Sequence, residues 1–187
     1  MASELNLMLH CGGRSVDRDE LHKSITPKAT KSHHPIAHTL LLDSVTRSLA
    51  KYGMQVVSEA HGLQRNGDRY FGLIQASPLV ADSINTDYAF VIGLRNSHDK
   101  KFPAGLCIGN GVFVCDNLSF TGELVLARKH TRRVKNDLPA LIERTLREMR
   151  QRREDQDKRI GAYKRTDGSD KQGHETVIRA MDAETIS

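Results

Sequence analysis

Met54-Gln-Val-Val-Ser-Glu-Ala60 and Tyr70-Phe-Gly-Leu-Ile-Gln-Ala76 are the two stretches that decide the fold class. Both are short and β-prone, and the polar stretch between them holds Asn66-Gly67, the dipeptide that most readily adopts the positive φ angles of a tight hairpin turn. The pair reads as an antiparallel hairpin. Upstream, Leu41, Val45 and Leu49 recur every fourth residue with Leu42 and Tyr52 beside them, the stripe of an amphipathic helix ending before Gly53. Such a helix covers one face of a sheet. Downstream, Tyr88-Ala-Phe-Val-Ile-Gly-Leu94 and Gly111-Val-Phe-Val-Cys115 are almost continuously apolar, the pattern of central strands buried on both faces.

Gly105, Gly109 and Gly111 surround Leu106, Cys107 and Ile108 without the Gly-Lys-Ser/Thr ending of a phosphate loop, so this segment reads as a bend between strands. The last element is a helix that Asp137 caps, with Pro139 early, where a missing N–H is tolerated. Leu138, Leu141, Ile142, Leu146 and Met149 form its apolar stripe, and a run of charges follows. The order helix, hairpin, strands, helix predicts an α+β fold, a mainly antiparallel sheet with flanking helices. Residues 35–160 form that domain. Residues 1–34 lack periodicity and read as a flexible N-terminal arm with little core, and residues 161–187 as a polar C-terminal segment.

The length, 187 residues with 38% hydrophobic side chains, suits one domain. No apolar run approaches the roughly 20 residues of a membrane-spanning helix. The N-terminus shows no secretory pattern, and Cys11, Cys107 and Cys115 are too few and too unevenly spaced for a disulfide framework, so a cytoplasmic protein with no membrane partner is expected. Cys107 lies among apolar neighbours that raise a thiol's pKa rather than activate it.

The charge is unevenly distributed. The chain carries +5 overall, whereas residues 128–159 alone hold twelve basic against six acidic side chains, or +6. Concentrated positive charge is the footprint of a phosphate-binding surface. The densest part supplies Arg128, Lys129, Arg132, Arg133 and Lys135 as candidate nucleic-acid contacts, with DNA the expected partner. Ion pairs four residues apart, such as Glu143 with Arg147, account for much of the later helix without a ligand. Tyr70, Phe71, Phe102, Phe120 and Tyr163 are the candidate stacking aromatics, which is thin support for single-strand binding.

Polar chemistry gathers after two strand ends, in Arg95-Asn-Ser-His-Asp-Lys-Lys101 and Cys115-Asp-Asn117. If these ends converge, His98, Asp99, Cys115, Asp116 and His130 form a candidate catalytic cluster with donors suited to a metal ion. The plainer reading makes turns of both segments, through side-chain hydrogen bonds to the backbone. Asp99-Lys100-Lys101 also matches the acid-x-Lys tail of metal-dependent nucleases, with Asp87 or Asp116 as the second carboxylate, although chance alone supplies such a match. His34 and His38 are four apart, but Pro35 biases His34 out of a helix and both read as exposed.

Ile92-Gly-Leu-Arg-Asn-Ser-His-Asp99, Gly105-Leu-Cys-Ile-Gly-Asn-Gly-Val-Phe-Val-Cys-Asp-Asn-Leu118 and Lys129-His-Thr131, in this order, resemble the phage/plasmid-like protein family, domain of unknown function 932. The likeness covers residues 38–150, and the matching positions are Asn96, Ser97, His98, Asp99, Gly105, Val114, Cys115 and Asn117. It implies a mobile-element setting, and hence a host cytoplasm, and brings no assigned activity or catalytic residues. The leading expectation is a nucleic-acid-binding accessory protein, without a cofactor, in recombination, replication or host-defence interference. A nuclease or other hydrolase using a divalent metal ion is the alternative, and a self-assembling or partner-binding module, a homo-oligomer included, is a third.

Overall fold

The computed structural model describes residues 5, 7–9, 11–79, 90–109, 113–114, 120–122 and 124–164. In chain order the elements are β1 (Arg14–Val16), α1 (Arg18–His22), α2 (His38–Lys51), β2 (Met54–Gln64), β3 (Arg69–Pro78), β4 (Phe90–Ser97), β5 (Ala104–Gly109), β6 (Phe113–Val114), β7 (Phe120–Thr121), β8 (Leu124–Arg128) and α3 (Val134–Lys164). Six strands form one open antiparallel sheet in the order β1-β2-β3-β4-β5-β8, and β6 and β7 pair in a separate ribbon. The chain is therefore an α+β protein. It divides into two compact units after Gln151, within α3, and the architecture here is that of the first.

The β2–β3 hairpin turns where Asn66-Gly67 places it. Arg65, Asn66 and Gly67 have φ of 55°, 54° and 93°, the left-handed region that asparagine and glycine tolerate best. Helix α2 stops at Gly53, whose φ of +68° ends it as a left-handed glycine does. Its stripe of Leu41, Leu42, Val45 and Leu49 packs with the α3 stripe of Val134, Leu138, Ile142, Leu146 and Met149. Both stripes lie against Tyr70, Ile74, Ala76, Ile92, Leu94, Ala104, Leu106, Ile108 and Leu126 on one face of the sheet. The opposite face carries a smaller cluster of Phe71, Leu73, Phe102 and Cys107, which Leu5 and Leu7 cover.

Four sequence expectations change. The first is the loose arm: β1 pairs with β2, and Leu21 on α1 is fully buried. Asp17 caps α1 by accepting from the Glu20 N–H at 2.7 Å, and Arg18 grips Glu59 on β2 with two hydrogen bonds of 2.9 and 2.6 Å. Elements of three and five residues are too short to show a period, and long-range contacts hold them. A boundary at 34/35 therefore cuts through one unit. The second is the glycine-flanked bend, which is the central strand β5, buried at all six positions. Pairing on both sides outweighs the weak strand preference of Gly105 and Gly109. Third, Phe113–Val114 belongs to the small ribbon and not to the main sheet. Fourth, α3 starts three residues before Asp137, and Pro139 lies inside it.

Leu21→Ala measures how far the N-terminal residues belong to the fold. Truncating a fully buried leucine is expected to cost about 2–4 kcal/mol in urea denaturation, whereas a loose arm gives a change within about 0.5 kcal/mol.

Candidate functional site

The register brings two polar connections to one end of the sheet. Ala104, the first residue of β5, pairs with Arg128, the last of β8, so residues 98–103 and 129–133 leave the sheet side by side. The segment before α2 crosses the same place, where His34 N donates to His130 O at 2.8 Å.

Asn96, at the end of β4 and fully buried, joins the three segments. Its amide nitrogen lies 3.0 Å from Ile36 O, which can only accept, and this fixes the orientation of the side chain. The second N–H of that nitrogen donates to His38 Nδ1 at 2.9 Å, and Asn96 Oδ1 accepts from His130 Nε2 at 2.8 Å. His38 Nε2 donates to Gly67 O in the hairpin turn, and His98 Nε2 donates to Ile36 O, each at 2.8 Å. The His38 and His98 rings stack with centroids 4.1 Å apart.

Each of these bonds assigns the proton of a neutral imidazole to Nε2. Burial pushes His38 down to about 3 and His130 down to about 4, where the neighbouring histidine rings add to the effect, and burial lowers His98 as well, outweighing the opposing influence of its bond to Ile36 O and of Asp68 and Asp99. His98 Nδ1 is buried without a hydrogen-bond partner among the described residues, so a proton placed there would have no acceptor. His38 is thus a core group, contrary to its reading as an exposed histidine, because its ring fills the space beneath the hairpin turn.

Outside this network opens a concavity of about 320 Å³, lined by Ser32, His33, Lys100, Lys101, Phe102, Pro103, Lys129, His130 and Thr131. Lys100, Lys101 and Lys129 are exposed, and among the described residues no carboxylate pairs with them or with Arg132, Arg133 and Lys135. Lys100 has φ +65°, a left-handed conformation that costs a non-glycine residue about 1–2 kcal/mol.

Asp99 does not join the histidines. One carboxylate oxygen accepts from Arg69 Nε at 2.7 Å, and the other accepts from the Ser97 hydroxyl and from Lys101 N at 3.2 Å. These donors hold its pKa low against the opposing effect of partial burial. Its carboxylate therefore shapes the turn that presents Lys100 and Lys101. Of the candidate cluster, His98 and His130 share the Asn96 network, while Cys115, Asp116 and Asn117, like Asp87, lie outside the described residues. Among the described residues no three His, Cys, Asp or Glu side chains are grouped to hold a metal ion.

In the basic cluster, Arg128 is tied to Asp137 and to Thr131 Oγ1, whereas Lys129, Arg132, Arg133 and Lys135 are exposed. Tyr70, Phe71 and Phe102 are buried between layers and offer no stacking platform, and the side chains of Phe120 and Tyr163 are outside the described residues. Burial pushes the Cys107 thiol up to about 12, which leaves it unreactive. Lys100 and Lys101 had a signal in the sequence, two cations directly after a strand end, that the nuclease pattern obscured. Comparison with known proteins gives no match, neither to a family model nor to a curated protein nor to a solved structure. Among the described residues no helix is long and apolar enough to cross a membrane.

The buried histidines make the fold sensitive to mild acid. Their unfolded counterparts take up protons below the ordinary histidine value of 6.5, and the folded state does not follow until about 3–4. Stability is therefore full above pH 6.5 and declines as pH falls below it. Urea midpoints are expected to drop between pH 7 and pH 5 by the equivalent of about 2 kcal/mol for each of His38 and His130. A flat profile over that range contradicts neutral burial.

Lys100→Gly relieves the left-handed strain and offsets glycine's entropic cost of about 0.5–1 kcal/mol. Its thermal midpoint is expected to equal or exceed that of the parent, and a clear drop would show that the lysine side chain holds the turn.

Proposed function

We propose that the chain is a nucleic-acid-binding accessory protein that performs no covalent chemistry, in the phage and plasmid setting that its sequence resemblance implies. One observation carries this reading: Lys100, Lys101 and Lys129 meet in one concavity at the end of the sheet with no carboxylate among the described residues to neutralise them. Asp99 and Asp137, the acids nearest in sequence, are turned to Arg69 and Arg128. Arg132, Arg133 and Lys135 continue the cationic stretch along the chain after Lys129, and all are exposed. Arg128 drops out of the contact set, because Asp137 already balances it. Phosphates neutralised by such side chains release counter-ions, so affinity must fall steeply with salt. The buried aromatics favour backbone contacts over base stacking.

A fluorescence anisotropy titration with single- and double-stranded DNA at several salt concentrations tests the proposal. Four to six lysine and arginine contacts give a slope of log K against log salt of about −3 to −5. Replacing Lys100, Lys101 and Lys129 together by alanine is expected to remove about 2–3 from that slope. Affinity independent of salt, or no binding at low salt, overturns the reading.

A further inference from the structure

We propose that the lysine-lined pocket takes a terminal phosphomonoester, the phosphorylated end of a nucleic-acid strand; this deepens the reading above and rests on it. Size is the first argument. About 320 Å³ is at the lower limit of the roughly 300–1,000 Å³ of small-molecule pockets, room for a phosphate and its sugar but not for a duplex passing through.

Charge is the second. An internal phosphodiester carries one negative charge, whereas a terminal phosphate carries about −1.5 to −2 near neutral pH. Three ammonium groups without carboxylate partners among the described residues are more than one diester requires. They match a terminal phosphate together with the first diester behind it. Lysine suits this use, since its three rotatable donors adapt to a tetrahedral anion.

The walls agree with the assignment. His33 Nε2 lies 3.2 Å from His98 O and His130 Nε2 is committed to Asn96, so both rings are anchored to the protein along one side of the pocket. Thr131 and Ser32 add hydroxyls that can donate to phosphate oxygens, and the half-buried Pro103 supplies an apolar contact for a sugar. Lys100 is held in a left-handed conformation at the mouth of this same pocket. Backbone strain in a non-glycine residue persists where the surrounding structure enforces it, and such positions cluster at ligand sites.

The test uses the full chain and one internally labelled single-stranded oligonucleotide in three forms, with a 5′-phosphate, with a 3′-phosphate, or with hydroxyls at both ends. At least one phosphorylated form is expected to bind about tenfold or more tightly than the hydroxyl form. That advantage is expected to vanish in Lys129→Ala, and in Lys100→Gly, whose fold is not expected to weaken, while Lys23→Ala, which does not line the pocket, keeps it. Equal, salt-dependent affinity for all three forms removes strand-end recognition and leaves general nucleic-acid binding intact. Loss of binding by every form removes both readings. A nucleoside monophosphate that competes as well as the phosphorylated strand assigns the pocket to a free small phosphate and overturns the strand-end proposal.

Discussion

The end of the sheet is organised by one buried carboxamide. Asn96 satisfies both of its N–H groups and its oxygen within the protein, and its partners lie 60, 58 and 34 residues away along the chain. A buried polar side chain left without a partner costs about 1–3 kcal/mol, so each of these bonds is enforced by the others. Aspartate has no N–H to give Ile36 O or His38, and leucine would leave His38 Nδ1 and His130 Nε2 without these partners. Ile36 O is itself shared, accepting from Asn96 and from His98, which uses both of its lone pairs. The constraint thus fixes the approach to α2, the end of β4 and the connection after β8 in one arrangement.

That arrangement separates two kinds of nitrogen. Inside, three imidazoles remain neutral because their Nε2 protons are committed and charging would be unsolvated. Outside, and close in sequence to His98 and His130, the lysines are exposed. The positive character of this end therefore comes from the lysines and not from the buried imidazoles. The turn that carries Lys100 and Lys101 is held by Asp99, whose own charge is directed to Arg69. Arg128 and Asp137 neutralise one another at the other connection. Acids and arginines build the frame, and Lys100, Lys101 and Lys129 have no carboxylate partner among the described residues.

Much of the architecture is legible locally. The β2–β3 turn is written in Asn66-Gly67 and helix α2 in its four-residue spacing, because both are decided by neighbours in the chain. Strand β5 is not legible, since Gly105 and Gly109 suppress a strand pattern that pairing on both sides restores. Nor are β1 and α1, whose few residues gain stability only by meeting β2. The basic segment could be read from composition, but which of its charges are unpaired could not, because the decisive acids act through the folded geometry. The Asn96 network left no trace in periodicity or spacing. Its residues read as a turn and a histidine pair until their partners were brought together, although a polar Asn96-Ser97-His98 run directly after an apolar strand already drew attention to the place.

The central claim, that neutral histidines locked through Nε2 around Asn96 hold this end of the sheet, is tested most directly by long-range ¹H–¹⁵N NMR of the imidazole nitrogens in the intact chain. The expected result is a protonated Nε2 and a bare Nδ1 for His38, His98 and His130, unchanged from pH 7 to pH 5.5. Rings that titrate near the ordinary histidine value, or that carry the proton on Nδ1, would contradict the account.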